Sequence, residues 1–177
     1  MPVKAPPMSA AGTTGPGCAT MWCLFGPRPE HRARALVTGV LTELRPGNGL
    51  GLGLALGQDE LADVNHAVNE MVTNAHQHAP RPYELRIFVT ETAVKIAVMD
   101  GGGDHAAVAR RLALANAEVP DDNESGRGLQ IVAGLFPGCC GAEPTSTCTG
   151  LTPAKQVWIA IPRTARFPAA QPRHPQT

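Results

Sequence analysis

Glu70, Asn74 and His78 stand four residues apart in the stretch "NEMVTNAHQHA", residues 69–79. On an α-helix that interval stacks three side chains into one ladder, each a turn above the last. The apolar stripe of the same segment consists of Leu61, Val64, Val68, Met71, Val72, Ala75 and Ala79. The ladder lies roughly 110° from the centre of that stripe, so it borders a core and can line a crevice beside it. Glutamate offers a carboxylate able to take a proton. Asparagine offers an amide oxygen suited to a hard cation such as Mg²⁺, which keeps several waters and accepts few protein ligands. Taken alone, the same ladder is also what a solvated helix face would show.

Two further segments bear on chemistry. In "VMDGGGD" a strand runs out at Asp100 into three glycines. Glycine allows close backbone approach, which suits a turn packed against a flat ligand, and a strand-end carboxylate can accept a hydrogen bond from an exocyclic amine. A plain Asp-Gly turn is the simpler reading. In "ESGRGLQIV", Gly126 and Gly128 flank Arg127 just before an apolar helical run. A helix start exposes backbone N–H groups and the positive end of the dipole, an anion site to which Arg127 could add a charged contact. An ordinary helix entry looks the same.

The histidines do not make a metal site. His76 and His78 are two apart on a helix, so their side chains diverge by about 200°. His66 lies further along, and His78 is better placed as a neighbour of bound phosphates. The five cysteines, Cys18, Cys23, Cys139, Cys140 and Cys148, include no C-x-x-C, which argues against a zinc site or a disulfide framework. Cys139 and Cys140 read as small apolar residues.

These groups need a scaffold. The 177 residues suffice for one domain with a proper core, with 43% hydrophobic and 17% charged residues. Fifteen basic residues balance fifteen acidic ones, which disfavours direct binding to nucleic acid. No apolar run approaches the length of a membrane span, and no signal peptide is evident, so a cytoplasmic protein with no membrane attachment is expected.

Residues 1–19 and 163–177, rich in Pro and Gly or Pro alone, read as disordered tails around a domain over 20–162. Within it, "TMWCLFG" suggests a first strand and 30–44 a helix; a glycine-rich loop and the long helix 59–79 follow. Pro80 and Pro82 end that helix. "ELRIFVT" and "AVKIAVMD" alternate as an antiparallel strand pair. Helical segments around "HAAVARRLALANA" and "LQIVAGL" precede a last strand, "AKQVWIAIP". Helices segregated from a mostly antiparallel sheet indicate an α+β fold, a two-layer sandwich with the helices on one face.

Three boxes in this order and spacing resemble the GHKL (Bergerat-fold) ATPase superfamily, in its branch of short anti-sigma-factor serine/threonine kinases. The resemblance covers about residues 25–162, with "NEMVTNAHQHA" similar to the family's N box and the two glycine segments similar to its two glycine boxes. It implies ATP and Mg²⁺ as cofactors, with Glu70 as general base and Asn74 as the metal ligand. Asp100 would bind the adenine amino group, and Gly102 would let the base pack close. Gly126, Arg127, Gly128 and Leu129 would lie along the triphosphate. Asp104 stands where the first glycine box usually ends in glycine, and Gln156 where a threonine usually helps to hold adenine. The implied function is phosphorylation of an anti-anti-sigma partner on Ser or Thr, with or without sequestration of a sigma factor, in a protein of a branch whose short members work as dimers. The alternative is a nucleotide-sensing binding module without turnover. A sensor histidine kinase is disfavoured, because His31 lies on a single short helix rather than a dimerisation hairpin.

Overall fold

The computed structural model describes residues 3–4, 18–45, 54, 56–114, 127–148, 150 and 153–163. The element order is β1 (Val3–Lys4), β2 (Cys18–Cys23), α1 (Pro29–Glu43), α2 (Gln58–His78), β3 (Glu84–Val89) and β4 (Ala93–Asp100). It continues with α3 (His105–Leu114), α4 (Arg127–Leu135), β5 (Cys140–Thr145) and β6 (Ala154–Pro162). The strands form one sheet in the order β1-β2-β3-β4-β6-β5, with every pairing antiparallel. The α+β two-layer sandwich expected from the sequence is the fold observed.

Period-two burial explains how the layers meet. Leu85 and Ile87 of β3, Val94, Ile96 and Val98 of β4, and Val157, Ile159 and Ile161 of β6 enter one hydrophobic core. The helices supply its other half: Ala33, Val37 and Leu41 from α1, and Val64, Ala67, Val68, Met71, Val72 and Ala75 from α2. Five of the six α2 positions belong to the stripe read from the sequence; Ala67 joins them, while Leu61 is only partly buried. Helix α2 starts with Glu60 Oε2 accepting from the Gly57 N–H at 2.7 Å. Acidic residues in its first turn complement the helix dipole.

Two strands differ from the sequence reading. Val3–Lys4 pairs with β2, and Cys18 and Ala19 already belong to β2, so the segment expected to be a tail over 1–19 contributes backbone pairing at both ends. β5, "CGAEPT", was not anticipated: it shows no apolar alternation and contains Pro144. It is an edge strand, where a missing N–H costs no interior ladder bond. The glycine-rich loop after Leu50 lies largely outside the described residues, as does the expected tail beyond 163.

The far face of the sheet is polar but not all exposed. Glu84 has no exposed side-chain surface and pairs with Arg86 at 2.7 Å. Arg86 also donates to the Ser146 carbonyl at 2.9 Å, and the Cys148 N–H donates to Glu84 Oε1 at 2.7 Å. The chain after β5 therefore folds over this ion pair. Further along the same face Lys95 pairs with Glu143 and lies 4.7 Å over the Trp158 ring.

Candidate active site

Asp100 ends β4 in the phase of Val94, Ile96 and Val98, so its side chain turns toward the helix layer. Register places Lys155 of β6 directly opposite. The Lys155 ammonium donates to Asp100 Oδ1 at 2.6 Å, and the Gly102 N–H donates to the same oxygen at 2.8 Å. Burial pushes the Asp100 carboxyl above the usual carboxylate range; the Lys155 and Gly102 hydrogen bonds only partly offset it. Gly102 has a visible steric role. A Cβ there would lie 2.6 Å from Lys155 Nζ, so the missing side chain makes room for the lysine head.

Gly128 joins the two other sequence boxes. Helix α4 packs against α2. A Cβ on Gly128 would fall 2.6 Å from Glu70 Oε2 and 2.9 Å from Asn74 Nδ2. Glu70 and Asn74 thus both abut the first turn of α4, whose opening N–H groups have no partners within the helix. Glu70 Oε1 accepts from Asn69 Nδ2 at 3.4 Å, and His66 Nε2 lies 3.8 Å from the same oxygen. The Asn74 amide nitrogen is buried without a hydrogen-bond partner. No hydrogen bond joins that amide to any described side chain or backbone group.

Between these clusters runs a cleft of about 680 Å³, counting its open mouth. Its walls include Met71, Leu129 and Val157 on the apolar side, and Asn74, His78, Asp100, Asp104, Arg111 and Lys155 on the polar side. An apolar wall with a few convergent polar groups is the usual build of a small-molecule site. Asp104 is also committed to structure: its Oδ1 accepts from the Ala107 N–H at 3.1 Å and caps α3.

Of the residues picked from the sequence, Asn74, His78, Asp100 and Leu129 line the cleft. Glu70, Gly102 and Gly128 flank it, and Arg127 is the first residue of α4. Gly126 lies outside the described residues. Gln156, expected to stand near the base, is corrected by register. It pairs opposite Met99 and donates to Glu143 Oε1 at 2.6 Å on the far face, which leaves the position opposite Asp100 to Lys155.

Lys155 and Arg111 do not stand out in the sequence, and His66 stands out there only as a metal-ligand candidate that is set aside. His66 was legible in hindsight, for it begins the four-residue ladder that continues through Glu70, Asn74 and His78. Lys155 and Arg111 depend on strand register and on the seating of α3, which spacing alone does not give.

Comparison with known proteins decides the family. Residues 53–152, more than half of the chain, match the histidine kinase-like ATPase domain. The chain belongs to that family. A histidine kinase-like ATPase domain is a GHKL-type ATP-binding unit, and its matched span contains α2, the strand pair and α4. Among solved structures, a mycobacterial sensor histidine kinase, MprB, is similar at 18% identity over 58% of this chain and 71% of that one, with a TM-score of 0.42. None of the curated proteins matches. No helix among the described residues is long and apolar enough to cross a membrane.

The residues present fit Mg²⁺ held jointly with a nucleotide. Among the described residues no three His, Cys, Asp or Glu side chains gather into a metal cage. The Asn74 amide on the cleft wall would offer such an ion a single oxygen, with phosphate oxygens and waters completing its shell.

Proposed function

We propose that this chain binds Mg²⁺·ATP in the cleft and transfers the γ-phosphoryl group to a serine or threonine hydroxyl of a partner protein of the anti-anti-sigma type. Binding to a sigma factor is the second part of the same regulatory role, and a homodimer is the expected working form. One observation carries the reading: a carboxylate and an uncommitted amide, Glu70 and Asn74, abut the same glycine at the start of α4. Phosphoryl transfer needs mainly positioning and charge stabilisation. Mg²⁺ supplies neutralisation across the phosphate oxygens when bound. Asn74 presents the protein's ligand to it, and the α4 N-terminus and Arg127 face negative charge. Glu70 Oε1 accepts from Asn69, while Oε2 is the oxygen nearest Gly128 and the one assigned to take the proton of an attacking hydroxyl.

A second reading, a nucleotide-sensing module that binds without turnover, is supported by Asp104, a carboxylate on the cleft wall that opposes phosphate charge.

Thermal unfolding with Mg²⁺·ATP tests binding: ligand at about a hundred times its dissociation constant adds roughly 2.7 kcal/mol. The increment should shrink in Asn74→Ala. Glu70→Gln should keep the increment and lose roughly 10²- to 10⁴-fold in phosphate transfer to recombinant anti-anti-sigma protein, read as phosphoserine or phosphothreonine by mass spectrometry. Binding with no transfer or ADP release would favour the sensing module. No increment at millimolar ATP would defeat both.

A further inference from the structure

Resting on the nucleotide reading above, we propose that Lys155 is a base-reading residue that admits guanine nucleotides to the cleft alongside adenine nucleotides. The pair facing the cleft offers two different hydrogen-bonding functions. Asp100 Oδ1 is already filled by Lys155 and by the Gly102 N–H. No described residue donates to Asp100 Oδ2, which leaves it as an acceptor. The Lys155 ammonium has three N–H donors and no acceptor capacity, and among the described residues it spends one of them, on Asp100. Its head is fixed close over Gly102, where a Cβ would be 2.6 Å away.

A carboxylate alone selects against guanine, because the O6 carbonyl would face another acceptor. An acceptor beside a fixed donor is different. Guanine places N1–H against Oδ2 and O6 against Nζ. Adenine, shifted one position along the same purine edge, places an N6–H against Oδ2 and N7 against Nζ. Both edges are satisfied, and the charged donor is well matched to the guanine carbonyl. Specificity is a difference of affinities, so adding a partner for the competing base erodes it.

The test is isothermal titration of the full chain with Mg²⁺·ATP and Mg²⁺·GTP, repeated on Lys155→Thr after circular dichroism confirms folding. The wild type should bind GTP within about thirtyfold of ATP, since a charged hydrogen bond replaces an unpaired carbonyl. Lys155→Thr should shift the GTP-to-ATP affinity ratio toward ATP by about tenfold or more, the scale of one lost charge-assisted hydrogen bond. A wild type that binds ATP but discriminates against GTP beyond that limit overturns the proposal. So does a ratio that Lys155→Thr leaves unchanged. If the variant fails to fold, the wild-type ratio decides alone. Absence of binding by either nucleotide sinks the nucleotide reading itself and this proposal with it, an outcome distinct from selective ATP binding.

Discussion

Asp100 and Lys155 face each other across β4 and β6 as an ion pair of 2.6 Å, and both side chains open onto the cleft. Asp100 is only 2% exposed and Lys155 11%. A pair so poorly hydrated is electrostatically strong yet carries a desolvation cost, which shows in the raised Asp100 pKa.

That shift has a definite pH signature. The folded Asp100 holds its proton to higher pH than its ordinary value of 3.8, so the native state binds more protons than the unfolded chain in the window above 3.8. Its contribution to stability therefore rises as pH falls through the raised pKa and diminishes as pH increases again. Asp100→Asn removes this titration. Urea unfolding from neutral pH toward 4 should show wild type gaining on the variant as pH drops; parallel curves would contradict the shift.

Gly128→Ala should damage the site locally. The new methyl would meet Glu70 Oε2 and Asn74 Nδ2 inside van der Waals distance. Both contacts are the ends of flexible side chains, and alanine is about 1 kcal/mol better than glycine in a helix, so stability should change little. The increment from Mg²⁺·ATP should fall, because Glu70 and Asn74 are pushed from their places, measured by thermal unfolding with and without ligand. A variant with a native ATP increment would show that α4 does not press on these side chains.

On the far face, Arg86→Met should leave the fully buried Glu84 carboxylate without its cation and lower stability by about 3–5 kcal/mol. The double change Glu84→Met with Arg86→Met should cost less than the single one, because no charge is stranded. Denaturant unfolding of the three variants measures this, and additive losses would count against a coupled pair.

Cys148 is exposed, yet its thiol is pushed up to about 12, chiefly by hydrogen bonding to Glu84. At pH 8 it should react with an aromatic disulfide reagent about two orders of magnitude more slowly than an ordinary exposed cysteine. Its rate should rise about tenfold per pH unit through pH 10. Labelling wild type against Cys148→Ser isolates this thiol; fast labelling at pH 8 would rule the shift out.

Much of this fold was legible because its elements carry strong periods. The α2 stripe and the alternation in β3, β4 and β6 mark which side of each element is buried. The Glu70–Asn74 ladder was readable for the same reason, since four-residue spacing is a property of the helix itself. β5 was not readable. Its "CGAEPT" is held at the sheet edge by pairing with β6 rather than by its own pattern. The choice between Lys155 and Gln156 was hidden too, because adjacent residues of a strand face opposite ways and only the pairing with β4 says which one meets Asp100. Arg111 reaches the cleft through the way α3 is seated, a tertiary fact with no local signature.

The β4–β6 register has a consequence for how this site can change. Lys155 and Gln156 are neighbours in the chain but point to opposite faces, toward Asp100 and toward Glu143. A slip of one residue in β6 would exchange them, replacing a cation at the cleft with a neutral amide that both donates and accepts. The same slip would carry Val157, Ile159 and Ile161 from the core to the far face, so the apolar alternation of β6 holds Lys155 at the cleft. Which side chain stands beside Asp100 is thus decided by core packing further along the strand, by residues that never touch the cleft's polar groups.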